Sequence, residues 1–264
     1  MLSKLGNDNI ILKEENGIEY IQFKRLLEQG IKHAYTLKGE GINFRSNSEE
    51  EMQCYKKIFD NLKLDINTLV KPLQKHTDIV KCIDKVMVKE ELKDVDGLIT
   101  NKENITLVTT NADCILFLFY DPVKKVIANI HSGWRGTFQK IAEKAIIKMI
   151  QEYECKPENI EVYIWPSIRK CHFEVDEDIK IECEKIFNFT GKTNLFIKEG
   201  KIKEGKQKYF IDTVLINRIL FLDNGIKESN IYDCEICSVC NKDKIRSFRA
   251  EGKEFKLATS IISL

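Results

Sequence analysis

No stretch of this 264-residue sequence is apolar for long enough to cross a bilayer. The longest greasy run, Ile115 to Tyr120, is the length of a strand. An excess of one charge is missing too: 42 basic and 41 acidic residues leave a formal +1, which gives no general attraction for nucleic acid or an anionic membrane. The Lys-rich segments 198–208 and 242–249 read as solvated surface. Proline is scarce, with only Pro72, Pro122, Pro157 and Pro166. No repeat, low-complexity tract or Gly/Ser-rich linker breaks the chain, so residues 1–264 are expected to form one domain. The opening residues, MLSKLGNDNI, lack the apolar segment of a signal peptide. With no export signal and an odd number of cysteines, nine, the thiols are expected to be reduced and the location cytoplasmic.

What is present is ordinary globular composition, 43% hydrophobic and 31% charged. A chain of this length can fold on its own core, so any metal it binds is expected to serve function and not to replace that core. Strand-like pieces are read at Ile18 to Phe23 and His33 to Leu37. A helix opens in a capping box from Ser48 to Glu51 and carries Met52, Tyr55, Ile58, Phe59 and Leu62 on one face. Thr68 to Lys81 reads as strand, turn, strand, and Thr106 to Tyr120 as buried strand broken at Asn111-Ala112-Asp113. After the strand Lys125 to Ile130, an amphipathic helix is expected from Thr137 to Tyr153. Further on come a strand at Ile160 to Ile164, a helix over 176–187 and a strand at Leu195 to Lys198. A helix then runs from its Asp212 cap to Asp223, stopped by Gly225. Strands at Ile231 to Cys237, Ile245 to Arg249 and Ser260 to Leu264 complete an α/β or α+β pattern with mixed sheets.

Histidine is rare: His33, His76, His131 and His172 are all there are. His76 lies in a polar break between strand segments, and His131 ends the strand VIANI before Ser-Gly-Trp-Arg-Gly. Cys114 sits where Asn111-Ala112-Asp113 enters the greasiest strand. Two imidazoles and a thiolate make a three-ligand set for zinc, leaving a fourth position for water or substrate. Spacing alone leaves open the plainer reading, in which Cys114 is a small buried hydrophobe and each histidine caps a hydrogen bond. The turn after His131 feeds a helix, so its amides and Arg135 are candidates to hold an anion; a tight turn with Trp134 in the core is the alternative.

Taken in order, Gln74-Lys75-His76, Asp96-Gly97-Leu98-Ile99, Asn111-Ala112-Asp113-Cys114 and His131-Ser-Gly-Trp-Arg-Gly136 resemble the multicopper polyphenol oxidase (laccase-domain) family. Members are also described as purine nucleoside phosphorylases with adenosine deaminase activity. Trp165-Pro-Ser-Ile-Arg169, Phe173-Glu174-Val175, Ile236-Cys237-Ser238 and Ser247-Phe248-Arg249 extend the resemblance to about Lys32 to Leu264. It implies a layered α/β/β/α domain similar to Cys-His toxin deamidases, and zinc, with copper as the alternative, on His76, Cys114 and His131. It also implies phosphorolysis of adenosine, inosine, guanosine and methylthioadenosine, and deamination of adenosine. Asp113 is then the candidate for proton transfer, Arg135, Arg249 and Lys38 are candidates to hold phosphate, and Asn43 and Gln74 join them in substrate binding. Two departures bear on anion binding: Thr36-Leu-Lys38-Gly39-Glu40 replaces a Thr-x-Arg-Gly-Gly element, and Glu254-Phe255-Lys256 replaces Thr-Gly-Arg. Asn43-Phe44 fits the Asn-Leu of relatives.

Three rival readings remain. Cys114 with His131 makes a metal-free thiol hydrolase in which His76 neither attacks nor moves a proton. A structural zinc requires a fourth protein ligand. A copper-dependent polyphenol oxidase would need more copper sites than four histidines furnish. Cys234-x-x-Cys237-x-x-Cys240 has metal-like spacing but no fourth cysteine after it, and as a strand it would turn Cys234 and Cys237 to opposite faces. Cys171 and His172, being adjacent, are set aside as ligands.

Overall fold

A computed structural model describes residues 5–45, 49–188 and 191–264. Along the first half lie Ile10–Glu15 (β1), Ile18–Phe23 (β2), Lys24–Glu28 (α1), Lys32–Thr36 (β3), Glu49–Leu62 (α2), Leu69–Val70 (β4), Val80–Cys82 (β5), Gly97–Thr100 (β6), Thr106–Asn111 (β7) and Ile115–Asp121 (β8). Then come Val126–Ser132 (β9), Trp134–Phe138 (α3), Ile141–Tyr153 (α4), Glu161–Ile164 (β10), Glu174–Val175 (β11) and Glu177–Phe187 (α5). The chain continues through Thr193–Phe196 (α6), Ile197–Lys203 (β12), Lys206–Ile211 (β13), Thr213–Asp223 (α7), Ile231–Asp233 (β14), Phe248–Glu251 (α8) and Ala258–Ser263 (β15).

Among the described residues the strands form two six-stranded mixed sheets, β1-β2-β3-β15-β7-β4 and β14-β10-β8-β9-β6-β5, and a small sheet β11-β13-β12. One core lies between the large sheets, joining Tyr35, Leu107 and Ile262 to Leu116, Leu118 and Trp165. The outer face of the first sheet is covered by α2 through Tyr55, Ile58 and Phe59. That of the second is covered by α4 and α7 through Ala145, Met149 and Phe221. The order helix, sheet, sheet, helix is the layered α/β/β/α arrangement that the resemblance implies. It also explains why β8 and β9 are buried at every residue without alternation: both faces are packed. A fourth cluster packs the small sheet and α5 against α7.

Several local expectations are corrected. The helix expected from Thr137 is two pieces, because Lys140 adopts a left-handed φ of 59° and starts α4 afresh. Met52 is exposed at 42%, and Cys54 takes its place on the buried face of α2. Ser48 of the expected capping box lies outside the described residues. Leu195 belongs to the short helix α6, with the strand starting only at Ile197. The stretch from Ile245 to Arg249 is no strand: it turns into α8, which Ser247 caps by accepting from the Ala250 amide at 3.1 Å. The Asp212 cap is as expected, its carboxylate accepting from the Leu215 amide at 2.9 Å.

His33 is fully buried between the sheets, and both of its ring nitrogens are in use. Nε2 accepts from the Phe23 amide at 2.8 Å and Nδ1 donates to the Ile31 carbonyl at 2.9 Å. Burial holds this imidazole down at about 4, so it stays neutral where the unfolded chain, at about 6.5, takes up a proton. The unfolded state binds more protons in that interval, so stability falls as pH drops through it. The expected loss is about 1.5 kcal/mol between about pH 6.5 and 5. Denaturant unfolding of wild type and His33→Gln checks this: the variant, whatever its absolute stability, should lack that increment, and equal slopes would contradict it.

Candidate metal centre

The site is assembled where the chain changes sheets. β7 ends in the first sheet at Asn111 and β8 starts in the second at Ile115, with Ala112-Asp113-Cys114 making the crossing. Asn111 shapes this turn, donating to the Cys114 carbonyl at 2.5 Å and the Pro166 carbonyl at 3.1 Å and accepting from the Tyr35 hydroxyl at 2.9 Å. Asp113 takes a φ of 81°, a left-handed conformation that costs a side chain on the order of 1 kcal/mol. The turn leaves Cys114 at the mouth of β8, next to the end of β9, where His131 pairs with Leu116.

Asp96, just ahead of β6, holds the third element. It is completely buried. Its carboxylate accepts from the amides of Lys75, His76 and Thr77 at 3.0, 3.0 and 2.9 Å, and its Oδ1 lies 2.7 Å from His131 Nδ1. The His131 amide donates to the Asp96 carbonyl at 2.7 Å. This wraps the 75–77 loop around the carboxylate and keeps His76 at a φ of 60°. Because Nδ1 of His131 faces the carboxylate, Nε2 is the nitrogen turned to the centre.

His76 Nε2 lies 3.6 Å from Cys114 Sγ, the rings of His76 and His131 meet edge to face at 4.9 Å, and the three ligand atoms lie within 4.8 Å of one another. Gly133 closes the cradle: a Cβ there would fall 2.6 Å from His76 Cδ2 and 3.2 Å from Cys114 Sγ. Burial disfavours charge on Cys114, but the charge and hydrogen bond of His131, with help from His76, outweigh it and bring the thiol down to about 6. Burial likewise opposes the His131 imidazolium, yet Cys114 and Asp96 raise it to about 9. Burial would push the Asp96 carboxyl up; its bonds to His131 and the loop amides hold it at about 2. A thiolate and two imidazoles of this spacing suit zinc or copper(II), and the three are joined by no fourth protein ligand among the described residues. The requirement for a structural zinc at this position is therefore not met.

The three residues open into a cavity of about 940 Å³. Six cationic side chains line it against three carboxylates, so it is set up for an anion. Of the residues singled out from sequence, Gln74, Asp113, Arg135 and Arg249 line this cavity, whereas Lys38 and Asn43 do not. Lys38 is paired with Glu251 at 3.1 Å, and Asn43 accepts from the Arg45 and Leu257 amides. Gln74 closes on Thr110, accepting from its amide at 2.9 Å and donating to its carbonyl at 2.8 Å, which fixes the approach to His76. Asp113 accepts from the Ser238 hydroxyl at 2.5 Å and the Arg249 amide at 2.6 Å, so both oxygens already hold neighbouring structure. The Arg249 guanidinium donates to the carbonyls of His172 and Glu174 at 2.9 and 3.1 Å. Arg135 stacks over Trp134 at 4.2 Å, and Trp134 is half-buried, packed edge to face on Phe138 while also lining the cavity. The five-residue α3 is too short to supply the helix-end anion site expected there.

Asp96 stood within a motif without a role of its own, Gly133 was read only as loosening the turn after His131, and Arg45 and Lys71 were not singled out. A lone Asp before a Gly-Leu-Ile strand gives no hint of three amide partners. Lys71, paired with Glu51, and Arg45, stacked 4.0 Å over Phe255, lie on the cavity wall. Two substitutions test the construction. Asp96→Asn should weaken metal binding about 10- to 100-fold in chelator competition, with little change in circular dichroism. Gly133→Ala should weaken it as well, and unchanged affinity in both would contradict the assigned geometry.

The family model for multi-copper polyphenol oxidoreductase laccase matches residues 31–264. A purine nucleoside phosphorylase of Clostridium acetobutylicum is 31% identical over 245 residues, covering 92% of this chain and 94% of that protein. The human purine nucleoside phosphorylase LACC1 is 32% identical over 184 residues, 68% of this chain but only 40% of that longer protein. Among solved structures, hypothetical protein YfiH of Bacillus licheniformis superposes with a TM-score of 0.84 at 24% identity, covering 96% of this chain and 98% of its own. YlmD of Geobacillus stearothermophilus superposes at 0.76 with 20% identity and the same coverage. At these identities the two structures establish the shared fold.

Proposed function

The chain belongs to the multi-copper polyphenol oxidoreductase laccase family, and from that premise we propose that it is a metal-dependent purine nucleoside phosphorylase acting as a single domain. The observation that carries this reading is a three-ligand site facing a cavity that is both cationic and aromatic. His76, Cys114 and His131 hold the ion, zinc with copper as the alternative. Such an ion, when bound, supplies Lewis acidity at a coordination position that no protein atom fills.

The chain's own residues divide the remaining work. Arg135 and Arg249 bind phosphate, with Arg45 a further cation on the same cavity wall. Phe173, Phe248 and Trp134 line the cavity and give a purine flat apolar faces. Asp113, with both oxygens engaged, acts as a positioning residue for Arg249 and Ser238 and not as the proton carrier first considered. Gln74 positions the His76 loop, and Lys38 and Asn43, bound to Glu251 and to the Arg45 and Leu257 amides off the cavity, have no direct part in substrate binding. Adenosine, inosine, guanosine and methylthioadenosine are the substrates proposed, with adenosine deamination as an accompanying activity at the same centre. No helix among the described residues is long and apolar enough to cross a membrane, and we place the enzyme in the cytoplasm with small-molecule partners only.

The metal-free thiol reading shares Cys114 and His131 but gives no role to His76, which three Asp96-bound amides hold beside the thiol. Release of free base and ribose 1-phosphate, with and without phosphate, and release of ammonia separate the readings. Wild type should cleave only with phosphate, and His76→Ala should fall at least about 100-fold as it loses its metal. Activity that survives in His76→Ala but not in Cys114→Ala would establish the thiol reading instead.

A further inference from the structure

A second group of metal-ligating side chains converges outside the three-ligand centre. We propose that Cys171, His172, Cys237 and Cys240 bind a second, structural zinc ion that clips two loops together behind the cavity wall. Cys171 and His172 lie in the turn ahead of β11, and Cys237 and Cys240 in the loop after β14. Setting aside Cys171 and His172 for being adjacent is overturned by the folding of that turn, which brings the Cys171 thiol and the His172 ring to one point. Cys237 and Cys240 supply two ligands, and the other two, Cys171 and His172, lie upstream of that segment, not after it. Cys234 takes no part, its sulfur buried and 3.9 Å from Arg169.

The spacing is that of one tetrahedral ion. With Zn–S near 2.3 Å and Zn–N near 2.0–2.1 Å, tetrahedral angles put sulfurs about 3.8 Å apart and sulfur about 3.5 Å from nitrogen. Cys171 Sγ lies 3.5 Å from Cys237 Sγ and 3.8 Å from Cys240 Sγ. His172 Nδ1 lies 3.2, 3.6 and 3.5 Å from the sulfurs of Cys171, Cys237 and Cys240. All four ligand atoms fall within 4.8 Å of one another. The sulfurs are well outside disulfide bonding distance, about 2.05 Å. Three thiolates and one imidazole fill a tetrahedral shell, so this ion has no open position and serves structure, in contrast to the three-ligand centre.

What it clips is specific. Backbone hydrogen bonds join Ser167 to Ile236 and Ser238 on the two segments. Ser238 donates to Asp113, and His172 and Glu174 accept from the Arg249 guanidinium. The ion therefore secures the ends of the network that aims Arg249 at the cavity. Because the chain has large apolar cores elsewhere, its loss should loosen these loops without unfolding the protein.

The test is metal content and cobalt spectroscopy on protein purified anaerobically without added metal. Wild type should carry about two zinc ions per chain, and His76→Ala and Cys240→Ser about one each. Cobalt(II) replacing zinc in His76→Ala should give tetrahedral bands with the strong charge-transfer absorption of three thiolates, and Cys240→Ser should lose most of it. The His76→Ala spectrum keeps the test decisive should Cys240→Ser fail to fold. A single zinc in wild type that His76→Ala loses, a zinc content unaltered in Cys240→Ser, weak absorption in His76→Ala, or a disulfide from Cys171 to Cys237 or Cys240 overturns the proposal; a single zinc that His76→Ala keeps and Cys240→Ser loses supports it and counts against zinc at the three-ligand centre.

Discussion

The carboxylate of Asp96 is the constraint on which the metal centre depends. A fully buried negative charge is tolerable only where donors surround it, and here three consecutive amides and an imidazole do so. The same bonds that compensate the charge dictate geometry. They coil residues 75–77 into a conformation that places His76 over the Cys114 thiol, and they decide which nitrogen His131 presents. Remove the carboxylate, and both histidines are free to turn away while the fold around them stays intact.

The two-sheet architecture brings these parts together from distant places in the chain. Cys114 comes from the crossing between sheets, His131 from the end of the central strand β9, and Asp96 from the entrance to its neighbour β6. Each lies at a strand end, where backbone leaves the ladder and side chains can face a cavity. Gly133 then has no side chain because the imidazole and the thiolate need that space. The far wall is tied in through Asp113 and Arg249, whose bonds reach the loops of the Cys/His cluster.

Much of this was legible in the sequence. The fully apolar strands and the Asp212 cap could be read from residue type and placement; the ordered motifs pointed to the family, and it was that resemblance, not spacing, that singled out His76, Cys114 and His131 as ligands. Lys140 was not legible as a helix break, since nothing in its local sequence demands the left-handed backbone it adopts. Ile245 to Arg249 alternated like a strand but turns into α8 because Ser247 caps it and Asp113 captures the Arg249 amide. The roles of Asp96 and of Cys171 with His172 depend on contacts between segments far apart in the chain, and no spacing rule reports those. Lys38 and Asn43 were assigned from motif position alone, and their partners, Glu251 and the amides of Arg45 and Leu257, hold them off the cavity.

The most direct test of the central claim is diffraction from crystals of the metal-loaded protein at the zinc absorption edge. The account predicts an anomalous peak about 2.0–2.3 Å from His76 Nε2, Cys114 Sγ and His131 Nε2, with its remaining position facing the cavity and filled by no protein atom. The absence of a peak there, or a fourth protein ligand closing the shell, would contradict it.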